Sequence, residues 1–117
     1  MKRNDDMMRD LLLAAEAFKL GRIQKGKADF ETSENGHLEH YHYRLLCDAG
    51  LMAMEEGRFF RITNAGHDYI ATIRDEKVWA KTKELAGKAG GVTLEMLKTI
   101  AFGVFKAKAA ELTGLEF

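Results

Sequence analysis

Residues 37 to 73, HLEHYHYRLLCDAGLMAMEEGRFFRITNAGHDYIATI, constrain the fold more than any other stretch. From Leu38 the residues Leu38, Tyr41, His42, Leu45, Leu46 and Ala49 recur at the spacing of one helix face, so this side is expected to meet a core. The other face carries His37, Glu39, His40, Tyr43, Arg44 and Asp48. Gly50 suits the left-handed position after the last turn. Leu51 and Met52 open a strand, and Phe59 to Ile62 form the returning one. Glu55-Glu56-Gly57-Arg58 between them reads as a hairpin tip, with Gly57 taking the backbone angle that a tight turn needs. Thr63 is placed to cap a following helix, whose apolar side is Tyr69, Ile70 and Ile73.

The flanking sequence extends this pattern. Asn4 or Asp5 caps a first helix with the stripe Met8, Leu11, Leu12, Ala15 and Phe18 or Ala14, which Gly21 ends. Residues 19–27 hold Lys19, Arg22, Lys25 and Lys27 with no acid between them, the most basic window of the chain. Residues 28–36 are polar and turn-rich, with room for a single turn around Thr32–Asn35 or for a short strand. Asp75 caps a further helix from about Glu76 to Ala86, with Val78, Trp79 and Leu85 inward. Gly87, Gly90 and Gly91 mark a loop. Thr93 caps a last helix with the stripe Leu94, Leu97, Ile100, Ala101, Val104, Phe105 and Leu112. Met96 and Phe102 make that helix apolar on a second side, which therefore needs cover from the core, a second copy or another protein.

The fold expected is mainly α with a small β-hairpin (α+β): a winged helix-turn-helix-like domain over 1–75 and a C-terminal helical extension over 76–117. A helix beside a two-stranded hairpin is the winged form of helix-turn-helix, in which the exposed helix enters the DNA major groove. Double-stranded DNA is then the expected partner. His37, His40, Tyr43 and Arg44 would face base edges or phosphates. Arg58, Arg61, Lys25 and Lys27 would hold the backbone. Met96, Ile100, Phe102 and Phe105 would form an interface with a host protein or with a second copy in a dimer.

Charge bears on this reading. Lys+Arg and Asp+Glu are both 18, so the net charge is zero. That counts against tight non-specific binding to DNA but leaves a local basic patch possible. At 117 residues the chain can bury one modest core. It has a single cysteine, Cys47, and so no internal disulfide, which fits a reducing cytoplasm. MKRNDD runs straight into a charged amphipathic helix rather than a leader, and the apolar runs are too short to span a bilayer. A cytoplasmic protein with no membrane partner is expected.

Several phrases together resemble a small uncharacterised family of bacteria, phages and prophages that carries a domain of unknown function. They are the MKR opening, Tyr41-His42, Leu45-Leu46 and Asp48-Ala49-Gly50-Leu51. They continue in Ile62-Thr63, Ala65-Gly66-His67-Asp68-Tyr69, Ala71-Thr72-Ile73-Arg74-Asp75, Val78-Trp79 and Lys81-Thr82-Lys83-Glu84. The likeness covers nearly the whole chain and is most specific from Gly66 to Glu84. It implies a winged-helix-like pattern and brings no catalytic residues. A phage setting implies control of transcription, or capture of a host protein such as a defence complex.

The sequence argues against an enzyme, a metal and a cofactor. His37 and His40 lie one turn apart, but no further ligands complete a zinc set. His42 falls on the inner stripe and reads as a hydrogen-bonded core histidine. Cys47 lacks an oriented base. The glycines at 87, 90 and 91 match no phosphate-binding loop.

Overall fold

The computed structural model describes residues 1–20, 22–24 and 33–117. Among them are five α-helices and one three-stranded antiparallel sheet, an α+β arrangement. The chain divides into two compact units, Met1–Ile70 and Ala71–Phe117.

The first unit opens with α1 (Asp5–Glu16). Asn4 caps it, its side chain accepting from the Met7 N–H, and Asp5 and Asp6 stand at the positive end of the helix dipole. Met8, Leu11, Leu12 and Ala15 are buried, whereas Phe18 is exposed because the helix stops at Glu16, before the stripe reaches it. Gly21, expected as the stop, lies outside the described residues. A short strand, β1 (Arg22–Gln24), follows.

The next helix, α2 (Glu34–Asp48), begins earlier than its apolar stripe suggests. Ser33 is its cap and accepts from the Gly36 N–H at 3.0 Å. Asn35, expected in a separate turn, is therefore part of the first turn of α2. Thr32 lies outside the described residues. After Gly50 come β2 (Met52–Glu55) and β3 (Phe59–Ile62). Glu56 and Gly57 both take positive φ, 55° and 69°, and the Arg58 N–H donates to the Glu55 carbonyl. This is the primed turn whose twist matches that of the strands. The sheet order is β1-β3-β2, with β3 central.

The two faces of this sheet differ in chemistry. Ile23, Met52, Phe60 and Ile62 are buried. Arg22, Gln24, Ala53, Glu55, Phe59 and Arg61 alternate with them onto the other face. On the buried side α1 packs against α2 and β3, and α2 packs against β2.

Helix α3 (Asn64–Ile73) starts in the first unit. Thr63 Oγ1 accepts from the Gly66 N–H at 3.0 Å, as a cap does, and donates to the Gly50 carbonyl at 2.5 Å. Gly66 lies so close to the hairpin that a Cβ there would sit 2.1 Å from the Leu51 carbonyl oxygen. Only glycine permits that approach.

The second unit is a helical pair, α4 (Glu76–Lys88) and α5 (Leu94–Thr113). Asp75 caps α4 and accepts from the Lys77 and Val78 N–H groups. Gly87 lies inside α4 rather than in the loop, while Gly90 and Gly91 take positive φ just after it. Thr93 caps α5. Lys108, late in α5, donates to Asp75 at the start of α4, so the two helices run antiparallel. That bond, followed by the Val78 N–H, holds the Asp75 carboxyl below its usual range. Leu97 and Ala101 are the buried residues of α5, and Leu112 stands 75% exposed. No helix of the described residues is long and apolar enough to cross a membrane.

Candidate nucleic-acid interface

The outward face of α2 is a single ridge. Glu34, His37, Tyr41, Arg44 and Asp48 are all exposed. Their spacing alternates between three and four residues, which puts them on one side of a helix. His40 lies half-buried beside it. The centre of the ridge offers an imidazole, a phenol and a guanidinium. The two ends are carboxylates.

One expected contact is corrected here. Tyr43 is not on this face: it is 1% exposed, and its ring stacks on Phe60 with centroids 4.7 Å apart. Tyr41, expected in the core, is 39% exposed and takes the place on the ridge. The buried positions of α2 are Gly36, His42, Tyr43 and Leu46, so the inward stripe is turned by about one residue from the one read in the sequence. Phe60, which fixes the phase, comes from β3 and is invisible to a local pattern. Burial, with Glu39 adding to it, pushes the Tyr43 phenol up to about 12.

His42 is fully buried, as its place on the stripe implied. Its Nδ1 donates to the Leu38 carbonyl at 2.8 Å, and its Nε2 accepts from the Asn4 N–H at 2.7 Å. The Asn4 N–H fixes the ring as the neutral Nδ1–H form. His42 thus ties the cap of α1 to α2 and is not free to bind a ligand. Burial, and then Asp48, raises the Cys47 thiol. A raised thiol is a poor nucleophile at neutral pH. No group of three or more His, Cys, Asp and Glu among the described residues could hold a metal ion.

The outer sheet face brings three arginines together. Arg22 lies across from Arg61, and its guanidinium sits 3.9 Å above the Phe59 ring. Arg58, at the hairpin tip, is 5.1 Å from the same ring. Carboxylates offset much of this charge. Arg22 and Arg61 share Glu55 at 3.8 Å and 3.6 Å, and Arg58 meets Glu56 at 4.0 Å. Such exposed pairs are worth about 0–1 kcal/mol each, so a phosphate can displace the carboxylate at little cost. Sequence reasoning marked Arg58 and Arg61 and placed Arg22 in the basic window of residues 19–27, but it did not bring Arg22 and Phe59 into one cluster with them, because their meeting depends on the β1–β3 register. Lys25 and Lys27 lie outside the described residues.

The apolar residues expected at an interface on α5 do not share one side. Met96 and Phe102 are exposed, 52% and 53%. Ile100 and Phe105 are half-buried. Phe105 lines a groove of about 560 Å³ with Arg74, Val78, Ala109 and Leu112. The Phe102 ring lies 5.5 Å from the Lys106 ammonium.

A family described as "Hypothetical protein (DUF2513)" matches residues 2–93. The chain belongs to this family. No curated protein and no solved structure matches the chain. The DUF2513 match spans the α2 ridge, the three-stranded sheet and α4, and α5 lies beyond it. The family description assigns no activity, so the chemistry of the surface carries the functional argument.

Proposed function

We propose that residues 1–70 are a winged-helix module that binds duplex DNA, with α2 in the major groove, and that the protein regulates transcription in a phage or prophage. The observation that carries this reading is the exposed centre of the α2 ridge. His37, Tyr41 and Arg44 are exposed on α2, which packs against β2, and the hairpin tip presents Arg58. The sheet order β1-β3-β2 and the run α1, β1, α2, β2, β3 support it, although an orthodox winged helix has a further helix between β1 and the exposed one, and none lies among the described residues. Arg and His donate well to guanine edges, and Tyr donates to phosphate.

Charge sets the character of the binding. Residues 1–70 hold ten Lys and Arg against twelve Asp and Glu, a net charge of −2. Non-specific binding, which depends on neutralising phosphates, is then weak, and selectivity rests on a few base contacts. The same charge favours a second reading, in which the ridge docks on a host protein and binds no DNA.

Fluorescence anisotropy with duplexes selected from a random pool separates the two. The DNA reading predicts binding at roughly 50 mM salt that weakens by about tenfold or more at roughly 200 mM. Arg44→Ala and Tyr41→Ala should each weaken it by about 1–3 kcal/mol while leaving the fold intact. No selected duplex, or affinity unchanged in both variants, removes this site.

A further inference from the structure

We propose that α5 pairs in parallel with the α5 of a second copy of this chain, along the seam Met96, Ile100, Gly103, Ala107 and Ala110. These positions are separated by four, three, four and three residues, the spacing of a two-helix seam. None is charged and none is buried: Met96, Gly103 and Ala107 are exposed, Ile100 and Ala110 half-buried. The side of α5 that carries Leu97 and Ala101 is already buried.

Two observations point to a second helix rather than to solvent. The first is Gly103. Glycine is among the worst helix formers, and this one sits in the middle of a 20-residue helix. A Cβ there would meet nothing within 4 Å, so packing inside the chain gives no reason for its absence. Close approach of another backbone does. Gly103, Ala107 and Ala110 together allow two helices to lie at the short end of the usual 8–10 Å separation. Ile100 then occupies the seam position where a β-branched residue favours two parallel strands.

The second observation is charge. Lys106 and Glu111 flank the seam on opposite sides, five residues apart. In a parallel pair that offset brings Lys106 of one copy to Glu111 of the other, twice across the two-fold axis. No ion pair within the described chain occupies either group. An antiparallel pair would set each flank against itself instead.

This pairing involves residues 96–111 alone, so it stands or falls independently of DNA binding. Sedimentation equilibrium of the full chain tests it. A dimer is expected. Gly103→Leu should convert it to a monomer while helicity and thermal stability are kept or raised, because the position has open space and leucine is the better helix former. Lys106→Glu and Glu111→Lys should each weaken the dimer about three- to tenfold, and the double swap should restore it. A chain that is monomeric at every concentration overturns the proposal. So does a dimer that Gly103→Leu leaves intact, or one in which the double swap is as weak as the single changes.

Discussion

Tyr43→Ala is expected to cost about 3–5 kcal/mol of stability, a large share of the roughly 5–15 kcal/mol that holds a domain together. The ring is buried to 1% exposure, stacks on Phe60, and links α2 to the central strand of the sheet. Removing it opens a cavity between the two elements that define the candidate interface. Tyr41→Ala, two residues away, should change stability by no more than about 0.5 kcal/mol, because its ring lies on the ridge. Urea unfolding of the two variants reads the difference, and equal losses would contradict the phase of α2. Alkaline pH gives a milder probe of the same residue. The Tyr43 phenol rises from 10.0 to about 12 in the fold. A raised folded-state value stabilises fully below about pH 10, and that contribution is lost as pH climbs towards about 12. Burial drives Tyr69 upward as well, ahead of Asp5 and against Arg3 and Arg9. Tyr43→Phe should therefore lose less stability than the native chain between about pH 10 and 12.

Gly66→Ala is the second large effect expected, at about 3 kcal/mol. Its Cβ would strike the Leu51 carbonyl oxygen and lie 2.8 Å from Ile62 Cγ2. Neither can move freely. The Leu51 carbonyl accepts from the Thr63 N–H at 3.1 Å, and Thr63 in turn holds Gly50 and Gly66 through its hydroxyl. The methyl group would have to prise α3 off the hairpin. Alanine at an ordinary helix position stabilises relative to glycine, so a neutral or stabilised Gly66→Ala would contradict this packing.

Local signals carried well from sequence to structure. Asn4, Thr63, Asp75 and Thr93 cap helices with their own side chains, and Gly57 forms its turn from four consecutive residues. Each needs only near neighbours along the chain. What failed needed distant ones. Tyr41, His42 and Tyr43 are three consecutive rings, each apolar enough for a core and polar enough for a surface, so periodicity alone leaves the phase of α2 open by one residue. Phe60 decides it from another strand. Arg22 joined Phe59 and Arg61 only through the pairing of a three-residue strand.

The outward ridge of α2 is the surface proposed to meet DNA. Amide chemical-shift mapping of the full chain, titrated with a selected duplex, reads that contact residue by residue. The largest changes are expected at His37, Tyr41 and Arg44, with a second group at the hairpin tip around Arg58. Changes confined to other elements, or none at saturating DNA, would contradict it.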